Sequence, residues 1–470
     1  MIDNEYLESL AAFVCSDDTS PSAVSIEERY TLRRAWDTVC LHSTVKHAIN
    51  SVPHYRALAQ ESPDIPLLNK LSDLSTLPVL TKGSIQQCPR SFISSEVATT
   101  SIRCTSGTTG RRLAIYGCAE EEAARDALAR AKWGRAFTQD KDIVLRIIPP
   151  MRRLLSDRTQ TSVIQLTAIY SYDFPHYQRF DFEDFLAQCI FDEYPLRGTL
   201  GKVTVIHITP PFLVFPITSR LSARGVDLRR SHVRAICVSG GYISHRARNL
   251  VMESWGVPLV SSYSCTEVLG GARECSATPG IYHFDETILA EVVNARSGQP
   301  CRLSERGLLY LTSLYPFQQA MPMIRYDTGD IAELAESPCV CGEVGTSVKI
   351  VGRRVHCIDL SHILGKAWFL GTTDLETIVG DMPFVPFLPY PRFRWTLSGR
   401  DDGGSDIRID IEVQSRSALD PSAFASELAR RIVSLSADLR DVHGEGRLGV
   451  CVTPYDKGDL ESHFQLLRDR

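Results

Sequence analysis

The spacing of apolar positions sorts the chain into stretches of different character. From Ile26 to Val52 apolar side chains recur at helical intervals, which predicts amphipathic helices closing near Ser51-Val52-Pro53-His54-Tyr55. Residues 1–60 read as helical throughout, and Leu71 to Lys82 as a turn-rich lead-in. Leu113–Tyr116 reads as a strand, and the alanine-rich run Ala119–Arg135 as a helix built of good helix formers. In the middle of the chain Asp142–Ile148, Val203–Ile208, Val233–Val238 and Pro258–Ser262 have the length and content of buried strands. Phe212–Arg224 and His245–Trp255 show helical spacing between them. Strands alternating with helices predict an α/β layer architecture.

From Ile281 the pattern predicts shorter strands, with turns at Ser297-Gly298 and Glu305-Arg306-Gly307. After Gly352-Arg353-Arg354 it changes again. Arg392–Trp395, Ile407–Val413 and Gly449–Val452 read as strands around a helix at Ser422–Leu439, a small α+β unit. The expected organisation is a large multi-layer α/β N-terminal body, residues 1–353, followed by a small α+β C-terminal domain, residues 354–470.

Composition narrows the class. At 470 residues, 43% hydrophobic and 23% charged, the chain is an ordinary globular protein with room for more than one domain. A net charge of −5 argues against a nucleic-acid partner. No apolar run approaches the ~20 residues of a membrane span. The acidic start Met1-Ile2-Asp3-Asn4-Glu5 lacks a signal peptide's basic region, and fourteen scattered cysteines suit reduced thiols, so a cytoplasmic protein is expected. Cys15, Cys40, Cys88 and Cys189 read as small core residues.

The densest candidate chemistry is Thr105-Ser106-Gly107-Thr108-Thr109-Gly110, followed by Arg111 and Arg112. Glycines let backbone N–H groups turn toward an anion, hydroxyls add donors and the arginines add charge, a combination suited to polyphosphate. No Gly-Lys-Ser/Thr closes the run, so it is not a Walker-type loop. A second cluster is Cys275, His283 and Cys339-Val340-Cys341-Gly342, whose thiols and imidazole could form a tetrahedral zinc set or remain four ordinary side chains.

Taken in order, Val52–Tyr55, Leu77–Lys82, Thr105–Gly110, Ser239-Gly240-Gly241, Tyr263-Ser264-Cys265-Thr266-Glu267, Met323–Asp330 and Gly352-Arg353 resemble the adenylate-forming superfamily, in its phenylacetate–CoA ligase-like branch. The resemblance implies ATP-dependent activation of a small, aryl carboxylic acid as an acyl-adenylate, followed by transfer to CoA. By the same resemblance Thr105, Ser106, Gly107, Thr108, Thr109 and Gly110 would hold the β- and γ-phosphates, Thr266 would donate to a phosphate oxygen and Glu267 would hold Mg²⁺. Ser239, Gly240 and Gly241 would line adenine, Tyr263 would stack on it, Asp330 would accept from the ribose hydroxyls and Arg353 would contact ribose or phosphate beside a hinge. The small domain would be mobile. Cys275, His283, Cys339 and Cys341 have counterparts in this branch, which implies a structural Zn²⁺.

Three departures keep other readings open. Tyr242 stands where the family has an acidic residue. Ile358–Phe369 does not align with the family's post-hinge glycine loop, which leaves an amine or a carrier-protein thiol as alternative acceptors to CoA. The C-terminal lysine that would bridge the two anions is missing at Glu461-Ser462-His463-Phe464-Gln465, which leaves Lys457 either as its replacement or as a solvated tail lysine, with His463 the weaker candidate. A non-catalytic nucleotide-binding homologue is the further alternative, a homodimer is compatible with all of these, and the departures suit specialised metabolism. Arg152–Phe191, which includes the aromatic stretch Tyr170–Tyr177, reads as a variable surface excursion, with a wall of the substrate pocket as the alternative.

Overall fold

A computed structural model describes residues 25–61, 70–105, 112–123, 143–148, 168–169, 182–196, 199–209, 211–241, 243–380, 382–386 and 392–460. The expectations placed on residues 1–24, including Cys15, and on Ser106–Gly110, Tyr170–Tyr177, Tyr242 and Glu461–Gln465 lie outside them.

The organising element is an eleven-stranded mixed sheet. Its strands are β1 (Ile143–Ile148), β2 (Ala168–Ile169), β3 (Val203–Ile208), β4 (Ala235–Ser239), β5 (Leu259–Ser264), β6 (Gly271–Glu274), β7 (Ile281–Phe284), β8 (Ile288–Val293), β9 (Arg306–Ser313), β10 (Tyr326–Leu334) and β11 (Ser347–Arg353). They lie in the order 8-9-10-11-7-6-5-4-3-1-2. Strands β2, β1, β3, β4 and β5 pair in parallel. Helices Phe182–Phe191, Val214–Ala223 and His245–Trp255 cover that half and bury Ile147, Ile206 and Ile236. Burial on both faces is why these strands are nearly continuous apolar runs. From β5 onward every pairing is antiparallel. The strands after Ile281 therefore extend the same sheet, and three of them run to six, eight and nine residues rather than being short. The turn expected at Glu305–Gly307 also moves. Arg306 and Gly307 begin β9, and Gly307 is there because a Cβ would sit 2.3 Å from the carbonyl oxygen of Val293.

The N-terminal region is one helix, α1 (Ile26–Ser51), opened by a capping box between Ser25 and Glu28. Val52 is extended, as a residue before proline prefers, and a second helix starts at Pro53. Trp36, Leu41, Val45 and Ala48 bury α1 against Leu289, Leu314 and Phe317 of the body.

A separate hydrophobic cluster collects residues from Ile358 to Leu448. It holds three further strands, Phe393–Gly399, Ser405–Val413 and Leu448–Asp456, and a helix at Thr372–Gly380. The single helix expected over Ser422–Leu439 is two, Pro421–Val433 and Ala437–Gly444. Ser436 caps the second by accepting from the N–H of Leu439, so the hydroxyl that reads as a mid-helix residue starts a new helix instead. Among the described residues no helix is long and apolar enough to cross a membrane.

Candidate active site

The parallel half ends its strands at one edge, and the candidate residues begin there. Ser239 closes β4, where its hydroxyl lies 2.8 Å from the Thr209 hydroxyl and 3.3 Å from His207 Nε2. Gly240 follows with a φ of +86°, turning the chain across the edge with Gly241. Carboxyl ends of parallel strands are where open α/β sheets hold ligands.

Tyr263 stands on β5, next to the change from parallel to antiparallel pairing. Its hydroxyl donates to Asp330 Oδ2 at 2.7 Å, and its ring meets Phe284 edge-on. In sheet order β5 and β10 are four positions apart, which in a flat sheet would be ~19 Å at the usual strand spacing. The direct hydrogen bond shows that the sheet curls between β5 and β10 until Asp330 reaches Tyr263.

Asp330 is 5% exposed. Its Oδ1 pairs with Arg353 Nε at 3.2 Å, and Arg353 Nη1 donates to the Thr328 carbonyl at 2.7 Å. Burial raises the Asp330 carboxyl above its ordinary range, with Arg353 and the Tyr263 hydroxyl offsetting part of that penalty. Burial together with the Asp330 charge pushes the Tyr263 phenol well above its ordinary pKa, so it stays a donor.

Glu267 is buried. One carboxylate oxygen accepts from the Tyr326 hydroxyl at 2.9 Å and the other from the Cys265 thiol at 3.2 Å. Both donors are neutral, and no basic side chain forms an ion pair with Glu267 among the described residues. A compact carboxylate held by neutral donors suits a hard divalent cation. Thr266, between Cys265 and Glu267, makes no hydrogen bond with a described residue.

Thr105 is the described residue of the glycine-threonine loop. It is buried, its hydroxyl accepts from the Leu113 N–H at 2.9 Å, and Lys82 Nζ lies 3.5 Å from the same oxygen. Sequence reasoning put Lys82 in a lead-in and gave it no role. Its position follows from the pairing of Leu80 with Tyr326, through Leu80 N to Arg325 O and Asp327 N to Leu80 O. Arg325 braces this lead-in by donating to the carbonyls of Ser75 and Leu77 while pairing with Glu291.

Lys457 is not brought to this group. It occupies an exposed turn after the strand Leu448–Asp456 and forms no hydrogen bond or ion pair with a described residue. Of the other thiols, Cys40 and Cys189 are buried as expected, whereas Cys88 is exposed at the end of a short helix.

The second cluster does assemble. Ligand atoms of Cys275, His283, Cys339 and Cys341 all lie within 4.8 Å of one another. Cys275 Sγ is 3.7 Å from Cys339 Sγ, and Cys341 Sγ is 3.3 Å from His283 Nε2. Ser347 sits 2.9 Å from His283 Nδ1, which orients the ring with Nε2 toward the sulfurs. Three sulfurs and one imidazole nitrogen at this spacing fit a tetrahedral zinc ion with bonds of ~2.0–2.3 Å.

No family model matches the chain. A phenylacetate-coenzyme A ligase of Thermus thermophilus is 28% identical over 153 residues, covering 32% of this chain and 34% of that protein. A phenylacetate-coenzyme A ligase of Aromatoleum evansii is 24% identical over 452 residues, covering 87% of this chain and 89% of that one. Among solved structures, a 2-hydroxyisobutyryl-CoA ligase in the postadenylation state matches with a TM-score of 0.63 at 15% identity, over 96% of this chain and 97% of that one. An open form of that ligase, with 2-HIB-AMP and CoA, matches with a TM-score of 0.59 at 16% identity over 94% of each chain.

Proposed function

We infer that this chain, a member of the adenylate-forming superfamily in its phenylacetate–CoA ligase-like branch, activates a small carboxylic acid with ATP and passes the acyl group to the thiol of CoA. The observation carrying this reading is the convergence of Tyr263, Asp330 and Arg353, from strands β5, β10 and β11, with Glu267 of the loop after β5 held beside them by Tyr326. The relatives that span most of the chain are acid–CoA ligases, which supports CoA over an amine or a carrier protein. An aryl acid is the narrower proposal.

In the first step the acid's carboxylate attacks the α-phosphorus, a P–O bond to pyrophosphate breaks, and the acyl-adenylate forms. In the second the thiol of CoA loses its proton, its sulfur bonds to the acyl carbon and AMP leaves. The chain's own residues bind and orient. Asp330 offers its buried carboxylate to the ribose hydroxyls, held in place by Tyr263 and Arg353. Lys82 and the 105–110 loop set positive charge and N–H groups against the phosphates, with Thr266 as a further donor. Ser239 to Gly241 line the base, beside Tyr263. Mg²⁺ held by Glu267 would neutralise charge on the phosphates. A structural Zn²⁺ on Cys275, His283, Cys339 and Cys341 would cross-link three segments of the antiparallel half.

The body is proposed as residues 1–353 and the cap as 354–470, with Lys457 reaching the reacting carboxylate only after the cap turns. Cytoplasmic residence is proposed from the thirteen described cysteines, none of which is in a disulfide.

ATP–pyrophosphate exchange across a panel of aryl and short aliphatic acids tests the reading. Exchange with one acid, lost in Lys457→Ala, is the expected result, and acid-dependent AMP release should then require CoA. Measurable ATP binding with no exchange for any acid would favour a non-catalytic nucleotide binder.

A further inference from the structure

Beside the nucleotide site, and not part of it, lies a buried ionic cluster that joins the two proposed domains. Arg306, at the start of β9, is 3% exposed, and Asp374, in the helix Thr372–Gly380, is 2% exposed. They form a two-pronged pair, Nη1 to Oδ2 at 2.6 Å and Nη2 to Oδ1 at 3.1 Å. Arg306 also donates to the Phe369 carbonyl at 2.6 Å, pairs with Glu333 at 2.9 Å and lies 4.4 Å from the Trp368 ring centre. Asp374 is reached by Lys349 at 3.5 Å and accepts from the Gly371 N–H at 3.0 Å.

The division of these groups along the chain is what matters. Arg306, Glu333 and Lys349 belong to β9, β10 and β11 of the body. Trp368, Phe369, Gly371 and Asp374 all follow the proposed hinge at Arg353–Arg354. Gly371 is seated so closely on β11 that a Cβ would fall 2.1 Å from the carbonyl oxygen of Val351, and Thr373 Oγ1 donates to that same oxygen at 2.8 Å. A rotation of residues 354–470 against the body has to break together every one of these contacts that crosses between the two, namely Arg306 to Asp374, Phe369 and Trp368, Lys349 to Asp374, and Gly371 and Thr373 against Val351. Two-pronged guanidinium–carboxylate geometry in a dry site is strict, so the cluster holds while docked and offers little at intermediate positions.

We propose that the Arg306–Asp374 pair is a latch that holds the cap in its docked position and thereby sets how the enzyme divides its time between the two half-reactions. The proposal rests on the adenylate-forming reading and on the 353/354 boundary. In the docked position Lys457 stands on an exposed turn, bonded to none of Glu267, Asp330 or Arg353, so docking serves the step that does not use it. Asp374 is a positioning residue: it acts through the cap's placement and touches no reactant.

Asp374→Asn keeps the shape of the side chain and removes its charge, leaving Arg306 with only Glu333, on its own side of the interface, as counter-charge in the docked position. Two readouts test the latch, with Glu427→Gln on the exposed helix surface as control. The first is trypsin cleavage after Arg353 and Arg354, followed by mass spectrometry well below the melting temperature. The second is the ratio of pyrophosphate exchange to thioester formation. About a tenfold rise is expected in each, the size usual for a coupling between two states, with Glu427→Gln unchanged. The paired change Arg306→Met with Asp374→Leu guards against simple misfolding, because an apolar pair fills the same dry space. It should return hinge cleavage toward the wild-type rate. Unchanged cleavage and an unchanged ratio in Asp374→Asn would overturn the latch. Cleavage that responds while no acid supports exchange in any variant would remove the functional reading and leave the latch standing.

Discussion

At the scale of single residues, the site trades stability for function at Asp330. Burial holds this carboxyl above its ordinary pKa even with Arg353 and Tyr263 beside it. An unfolded chain ionises it at about 3.9. Its contribution to stability is therefore fully present below that value and is lost as pH rises through the higher folded pKa. At neutral pH the ionised group costs stability that a neutral residue would not. Asp330→Asn should melt no lower than the wild type at about pH 8, with any advantage vanishing below about pH 4. Pyrophosphate exchange in the same variant should fall about tenfold to a hundredfold, the range for losing hydrogen bonds to a charged group. Scanning calorimetry across pH, run beside the exchange assay, checks both. A melting temperature that drops at pH 8 would mean Asp330 is a structural partner of Arg353 first.

Elements are held in place by polar devices that the local pattern hides. Glu274, at the end of β6, accepts from the N–H of Gly280 at 2.7 Å and of Ser261 at 3.2 Å and pairs with Arg248. It thereby shapes the loop that carries Cys275 toward Cys339. With zinc on the four ligands, β6, β7 and the loop at 339–341 become one cross-linked unit. Purified protein should carry about one zinc ion per chain, since four ligands complete a structural site. Removing it with a strong chelator, or making Cys339→Ser, should lower the melting temperature by about 5 °C or more, the shift that a few kcal/mol produces. Zinc content by elemental analysis and a thermal melt decide the matter. A zinc-free protein with an unshifted melt would leave the cluster as four reduced side chains.

For the molecule as a whole, two of the five hydrophobic clusters among the described residues mark the body and the cap. One lies against the parallel half of the sheet and contains Ile236, and the other gathers residues from Ile358 to Leu448 and contains Ile409. Both isoleucines are fully buried. A chain whose body and cap hold separate cores, joined by an interface that carries both the Arg306–Asp374 pair and an apolar group of Ile331, Val351 and Phe369, is not expected to unfold in a single step. Ile236→Ala and Ile409→Ala should each cost about 2–5 kcal/mol and should shift different calorimetric transitions. Equal shifts of one shared transition would show that the interface around Arg306 and Asp374 couples the cores into a single unit.

Much of this was legible in the chain itself. The strands at 143–148, 203–208 and 259–264 and the helix at 245–255 follow from runs and periods that a local window contains. The order of the motifs and the thiol-imidazole set could be read too, because a short motif carries its chemistry with it. What the sequence could not give is proximity between distant segments. Nothing local indicates that the strands after Ile281 join the same sheet, or that this sheet curls until Tyr263 touches Asp330. The same holds for Lys82, whose approach to Thr105 depends on Leu80 pairing with Tyr326, some 246 positions away. Arg306 read as a turn residue because its partner, Asp374, lies 68 positions further on. Local periodicity sets which face of an element is apolar. Which elements meet is decided by packing and by where buried charges find partners, and both are properties of the whole fold.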